Sequence, residues 1–401
     1  MNNKIIPIKV KKIISDYDYK LLILVMFISS FGLLMIYSAS SYRAEYFYND
    51  STLYLRRQGM FFAAGVVLMV LLSLIDYRIY FKRIKLIHIR PVILLYLACI
   101  GLHWYIFFAG YSAGGSARWI QLGGGINFQP SELSKVCFVL GGAFVASKKK
   151  QMINTSSTLK NVCGFVFMFL LFAPILMPVA VQNLSSAVIL AGILACIYFV
   201  VSIDRKYFIF VLAVLAVCGI TMILTKGYRS ERLDHFFHPE TMDSADQIMQ
   251  GLYAIGSGGW FGRGVGRSLQ KLGNMPEVHT DMIFTVICEE LGIVGGIALM
   301  LLYLLILRRI LKIAVNAPDI YGTLIAAGVF AQVAIQFVMN IAVVTNSMPA
   351  TGVPLPFVSY GGSSLLILMA EMGIVLSISR KTCNPVPEAE MEDNDQESDA
   401  E

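Results

Sequence analysis

Charge is scarce in this 401-residue chain. Only 14% of its residues are Asp, Glu, Lys or Arg, where a soluble domain carries about 25%. Hydrophobic residues make up 57% and the mean hydropathy is +0.68. That shortage excludes an ordinary soluble domain. The basic residues are scattered between apolar runs, so the net charge of +6 reflects membrane topology rather than a nucleic-acid surface. Cysteine is also sparse in pattern. Cys99, Cys137, Cys163, Cys196, Cys218 and Cys288 sit within apolar runs and Cys383 near the C-terminus, so no disulfide framework or Cys-type metal site is expected. They read as small core residues. No short-period repeat is present. The glycines of 256–266 follow no strand, so they are not a dinucleotide fingerprint, and no organic cofactor is expected.

Apolar runs dominate what remains. Ten approach the length needed to cross a bilayer: 21–37, 59–75, 91–110, 131–147, 161–181, 187–203, 207–225, 281–306, 321–343 and 361–379. The sequence therefore predicts an all-α polytopic membrane protein of about ten helices. The first run is longer than a typical signal core, so it reads as an uncleaved span despite Ser38-Ala39-Ser40 after it. The fifth and sixth runs, parted by Gln182-Asn183-Leu184-Ser185-Ser186, read as a helical hairpin.

Positive charge sets the orientation. With the N-terminus inside, 21 of the 32 Lys and Arg residues fall on cytoplasmic segments. Outside the long loop, the opposite side holds only Arg43, Arg56, Arg57, Arg118 and Lys135. Short-loop bias of this kind predicts cytoplasmic termini. The predicted organisation is a cytoplasmic N-terminus over 1–20, a membrane domain over 21–380 and a tail over 381–401. Glu388–Glu401 holds eight acidic residues in fourteen and reads as solvated and disordered. Residues 226–280, between the seventh and eighth runs, form a large outward loop. It is too long for a passive connector, and Leu233, Phe236, Phe237, Ile248, Leu252, Tyr253, Trp260 and Phe261 suit a small packed subdomain.

Polar groups gather at the outward end. Before the fourth run come Arg118-Trp119-Ile120 and then Phe128-Gln129-Pro130-Ser131-Glu132-Leu133-Ser134-Lys135. Pro130 and Ser131 suit a helix start, and Glu132 and Lys135 share a face. They form either a local ion pair or a cavity-facing site, the default reading for ionisable groups within a membrane. In the long loop, Arg263, Arg267 and Lys271 align at four-residue spacing if that segment is helical. Such a face suits a pyrophosphate or anionic headgroups. At the loop's end stand Glu277, His279 and Asp281, which point one way if 277–281 is extended. A divalent cation, magnesium or manganese, is the candidate cofactor there, with Asp281 and Glu277 as ligands. The rival reading of Asp281 is a helix cap worth about 0.5–2 kcal/mol. One of Glu289 and Glu290 needs an internal partner. Gln332, Gln336 and Asn340 form a stripe that should face the bundle. Three prolines and three glycines across 346–364 forbid a continuous helix there.

Taken together these stretches resemble the SEDS family (shape, elongation, division and sporulation), whose members include FtsW, RodA and SpoVE. The resemblance rests on Pro354-Leu355-Pro356-Phe357-Val358-Ser359-Tyr360-Gly361-Gly362-Ser363-Ser364, on Arg118-Trp119-Ile120 with Phe128-Gln129-Pro130-Ser131-Glu132, and on Pro276-Glu277-Val278-His279-Thr280-Asp281. Ile36-Tyr37-Ser38-Ala39-Ser40 and Ser268-Leu269-Gln270-Lys271-Leu272-Gly273 look more like the division or sporulation members than RodA. The resemblance implies a peptidoglycan glycosyltransferase that polymerises lipid II at the outer face of the cytoplasmic membrane. Its implied partners are a class B penicillin-binding protein and other divisome or sporulation membrane proteins, with enrichment at the septum. It marks Asp281 as the essential residue. The chain departs from the family at Val181-Gln182-Asn183, where a proline is usual, which leaves the geometry of that hairpin open.

For such a reaction the expected chemistry is an inverting single displacement. Asp281 would act as general base, helped by partial burial. Arg118, Arg263, Arg267 and Lys271 would hold the pyrophosphate. Lys135, Glu132, Gln129 and Ser359 would contact substrate, with Glu277, His279 and Trp119 in support. The rival classes are a lipid II flippase and a non-catalytic scaffold for the penicillin-binding protein.

Overall fold

Apolar sequence becomes helix in a membrane because a helix satisfies every backbone polar group internally. The computed structural model describes residues 17–84, 88–109, 111–113, 116–121, 127–148, 158–202, 236, 247–269 and 278–382. Among them ten α-helices follow in order: α1 Tyr19–Tyr48, α2 Leu53–Leu74, α3 Pro91–Ala109, α4 Pro130–Lys148, α5 Thr158–Gln182, α6 Leu184–Val201, α7 Gln247–Gly258, α8 Ile283–Val315, α9 Ile320–Val344 and α10 Gly362–Thr382. Eight of these, all but α4 and α7, are long and apolar enough to cross a membrane. The protein is an all-helical polytopic membrane protein. Nine of the ten expected runs coincide with helices. The run at 207–225 lies outside the described residues, as do most of the long loop and both terminal segments.

Two details depart from the expected outline. The loop before α4 contains a small antiparallel sheet, β1 Tyr111–Ala113, β2 Ser116–Gln121 and β3 Asn127–Phe128, in the order β1-β2-β3. Tyr111 pairs with Trp119 and Ile120 with Phe128. Several helices also outrun their apolar cores. α8 is 33 residues long, well beyond the 281–306 run, because the helix continues through the Arg308-Arg309 pair.

The bundle is arranged around α4, α6 and α9. α4 packs against α3, α6 and α9, while α8 lies against α1, α7 and α9, and α2 runs along α10. The hairpin at 182–184 forms without its proline. Asn183 breaks the chain and caps α6, its side chain accepting from the Ser186 amide at 3.2 Å. Between α9 and α10 the chain is irregular yet inward, with Val353, Leu355, Phe357 and Val358 all buried. Gly32 of α1 makes that possible. A Cβ there would stand 2.7 Å from the Phe357 carbonyl oxygen and 2.8 Å from the Val358 Cα.

α8 is broken once. Gly292 adopts φ 73° and ψ −176°, a conformation open to glycine and costly to other residues. The break frees backbone groups that the segment after α7 takes up. The Arg263 and Gly264 amides donate to the Glu289 and Glu290 carbonyls at 2.9 Å, and the Ile293 amide donates to the Gly259 carbonyl at 2.9 Å. The glycine-rich segment is thus stitched to the N-terminal third of α8.

Candidate active site

The site is built where α8 begins. Residues 278–282 form turns rather than an extended strand, so His279 and Asp281 do not share the direction that a strand would give them. Asp281 is half-buried at this turn. Its carboxylate accepts from Gln247 Nε2 at 3.4 Å and from Thr280 Oγ1 at 3.2 Å. Its backbone carbonyl accepts from Asn340 Nδ2 at 2.7 Å, and the same amide donates to the Val353 carbonyl at 2.9 Å. A Cβ at Gly352 would lie 3.8 Å from Asp281 Oδ2. Four segments therefore converge on Asp281: α7, the start of α8, the C-terminal end of α9 and the irregular 345–361 segment. Met282 occupies the N-cap position of α8, so Asp281 stands one residue before the cap.

His279 turns the other way. It is buried, with ring centroids 4.4 Å from Tyr54 and 5.2 Å from Tyr360. Its carbonyl accepts from the Tyr360 amide at 2.8 Å. Burial, with the charge of Arg43, pushes the imidazole down to about 4, so it is neutral at physiological pH. It orders the turn that carries Asp281 and ties it to α2 and the 345–361 segment. Among the described residues, no three His, Cys, Asp or Glu side chains are grouped to hold a metal ion. Glu277 and Lys271 lie outside the described residues.

The basic segment after α7 is not helical. Residues 259–269 run as turns, with positive φ at Gly259, Gly262, Gly264 and Gly266. Arg263 and Arg267 therefore do not share a helix face, because these glycines take conformations outside the helical region. Arg263 and Arg267 are both exposed, and Arg263 Nε reaches the Ser257 carbonyl at 3.4 Å. The segment is anchored from below by two carboxylates, where only one was expected to find an internal partner. Glu290 accepts from Ser38 Oγ at 2.6 and 2.7 Å and from the Ser268 amide at 3.4 Å. Glu289 accepts from the Leu269 amide at 2.9 Å and from the Ser268 hydroxyl.

A second polar group lies inside the bundle. Lys135 and Glu132 are buried and paired at 2.6 Å. Glu371 of α10, buried, accepts from Gln332 Nε2 at 2.7 Å and feels the charges of both Lys135 and Glu132. Gln332, Gln336 and Asn340 are all buried, so the α9 stripe faces inward. It spans roughly 12 Å of helix axis and runs from Glu371 toward the Asp281 turn. Sequence reading did not single out Glu371. The signal available was a lone acidic residue in an apolar helix. Tyr54 and Tyr360 were also missed, and nothing in their spacing points to His279.

The other expected site residues are placed as follows. Trp119 is half-buried on β2, beside Arg118 in the chain. Gln129 is half-buried just before α4, in a small cavity it lines with His103, Ser131, Gln182 and Asn183. Ser359 is buried, and its hydroxyl accepts from the Leu355 amide at 2.8 Å. As it stands, this hydroxyl folds its own turn.

Comparison with known proteins adds a separate line. The family profile described as Cell cycle protein, covering FtsW, RodA and SpoVE, matches residues 19–384. The chain is 35% identical over 367 residues to Stage V sporulation protein E of Bacillus subtilis (strain 168), covering 90% of this chain and 97% of that one. It is 32% identical over 372 residues to the probable peptidoglycan glycosyltransferase FtsW of Geobacter sp. (strain M18), covering 92% and 98%. Among solved structures, a chain of a peptidoglycan synthase complex that coordinates polymerization and crosslinking matches with TM-score 0.72 and 26% identity, over 91% of this chain and 98% of that one. The rod shape determining protein RodA of Thermus thermophilus matches with TM-score 0.65 and 26% identity, over 91% and 97%.

Proposed function

The chain belongs to the FtsW/RodA/SpoVE family of cell cycle proteins, and from that premise we propose how its residues carry the chemistry. As a member it is a peptidoglycan glycosyltransferase of the membrane. The substrate is lipid II, and the reaction is an inverting displacement. The GlcNAc O4 hydroxyl of one lipid II attacks C1 of the MurNAc bearing undecaprenyl pyrophosphate. The C1–O bond to the pyrophosphate breaks, and the proton passes to the Asp281 carboxylate. The observation that carries this reading is the convergence of four segments on Asp281, with Asn340 and Gln247 fixing its position. A base must be held within hydrogen-bond reach of the hydroxyl it deprotonates.

Arg263 and Arg267 stand exposed on a segment fastened to α8. They suit the departing pyrophosphate, together with Arg118 and Lys271. A magnesium or manganese ion would draw on Asp281 and Glu277, and would neutralise pyrophosphate charge when bound. Both termini face the cytoplasm in this reading, and the protein works at the division septum with a class B penicillin-binding protein.

The test uses purified protein in detergent, where no membrane remains to be crossed. Wild type should polymerise lipid II, and Asp281→Asn, folded and monodisperse, should not. Polymer from the Asp281→Asn protein would falsify the base assignment. Absence of polymer from wild type would favour the flippase or scaffold readings, of which the buried column of Gln332, Gln336 and Glu371 is the one feature that suits transport.

A further inference from the structure

We propose that the cavity between α1 and α8, at the end of the bundle where α1 begins, binds a phosphate-bearing anionic lipid. The cavity measures about 420 Å³ and is lined by Lys20, Ile23, Leu24, Leu305, Arg308, Arg309 and Lys312. Four of those seven side chains are cations and none is an anion.

Their placement follows the layout of a lipid. Lys20 is the second residue of α1, and Lys312 sits in the last turn of α8. Ile23 and Leu24 lie about one turn further into α1, and Leu305 one to two turns further into α8, at the three-to-four-residue spacing that stacks side chains on one helix face. Cations therefore stand at the headgroup level and aliphatic walls stand where acyl chains run. Basic pockets between membrane helices have this headgroup-binding character.

The charges are uncompensated among the described residues. Among the described residues none of the four cations makes an ion pair, whereas Arg78 and Lys381 nearer the other helices do so with Asp319 and Asp76. The carboxylate closest in sequence, Asp18, is spent on the helix start, accepting from the Leu21 amide at 3.1 Å. Residues 1–16 carry four lysines and a single aspartate, while the eight acidic residues of 388–401 lie outside the described residues. A transmembrane segment of a partner would fill the apolar wall and leave four cations unmatched. An anionic headgroup matches both. Topology alone accounts for basic residues at this end, but not for four of them turned onto one cavity from two helices.

The inference rests on the chain spanning a membrane and not on its enzymology, so its failure would leave the glycosyltransferase reading untouched. The test takes the full chain, purified in neutral detergent, and adds phosphatidylglycerol, cardiolipin or phosphatidylcholine. Lipid retention is read by native mass spectrometry and the unfolding midpoint by thermal scan. Wild type should retain the anionic lipids, and its midpoint should rise with them and not with phosphatidylcholine. Arg308→Gln with Arg309→Gln should bind them roughly thirtyfold more weakly. Arg308→Lys with Arg309→Lys should keep most of the binding, which separates charge from folding. Lys82→Gln with Arg83→Gln, at the same end but outside the cavity, should change nothing. Equal retention of phosphatidylcholine, or full retention by the double Gln variant, would overturn the proposal. So would inorganic phosphate alone raising the midpoint as far as phosphatidylglycerol, since the site would then take a free anion.

Discussion

The Asn340 side-chain amide holds the backbone of Asp281, donating to its carbonyl at 2.7 Å. The same group reaches Val353 at 2.9 Å, so one side chain of α9 pins the Asp281 turn to the irregular segment facing it. Asn340→Leu keeps the volume and removes the donor. One buried and one partly buried carbonyl would lose their partner, at about 1–3 kcal/mol. On the proposed role of Asp281 as base, the loss should appear in rate, as a roughly 10–100-fold drop in polymerisation of purified lipid II. An Asn340→Leu protein that polymerises at the wild-type rate would remove Asn340 from the positioning of Asp281.

This contact also shows what could be read from the chain beforehand. The spacing of Gln332, Gln336 and Asn340 fixed the face they share, and that face is buried. What each residue touches was not legible, because Asp281 is 59 positions away in sequence and no periodicity links the two. The spans were legible for a simple reason: a run of about 20 apolar residues has few alternatives in a bilayer. The Gly292 break was not, since an isolated glycine in an apolar run usually stays helical. The arginine face failed for the same kind of reason. Four-residue spacing predicts a shared face only where the backbone is helical, and the glycines of 259–266 prevent that.

The buried pair Lys135 and Glu132 gives a prediction about stability. Removing one partner of a buried ion pair costs about 3–5 kcal/mol, while removing both is often neutral. Lys135→Met should therefore lower the unfolding midpoint sharply, because it leaves Glu132 and Glu371 without their cation. Glu132→Gln with Lys135→Met should recover part of the loss, and adding Glu371→Gln should recover most of the rest. A triple variant no more stable than Lys135→Met would show that the three groups do not act as one cluster. Polymerisation measured on the stable triple variant then reports whether the cluster serves the substrate.

Asp76 supplies a pH dependence. It lies between α2 and α3, accepts from the Arg78 amide at 3.1 Å and pairs with Lys381 at 3.0 Å. Partial burial works against its charge, but the Arg78 amide and the Lys381 ammonium hold the carboxyl below its ordinary range. A carboxylate lowered in the folded state contributes stability above its unfolded pKa, and that contribution is lost as pH falls through the folded value. The gap in midpoint between wild type and Asp76→Asn should be full at neutral pH. It should narrow once the pH drops below about 4. A gap that stays constant from pH 7 to pH 3 would show that the Asp76 contacts contribute nothing through ionisation.

Gly292 tests whether the basic segment depends on the break in α8. A side chain there would adopt φ 73° and ψ −176°, an essentially glycine-only conformation that costs other residues about 1–3 kcal/mol. Its Cβ would also overlap the Trp260 carbonyl and the Gly262 amide. Both effects push residues 259–264 away from Glu289 and Glu290. Gly292→Ala should therefore lower the midpoint and reduce polymerisation together, by displacing Arg263 and Arg267. Gly101→Ala is the matched control. It lies inside α3, where a Cβ meets nothing within 4 Å. There alanine should be neutral or stabilising by up to about 1 kcal/mol. If Gly292→Ala kept wild-type stability and full activity, α8 could run unbroken and the docked arginines would play no part in turnover.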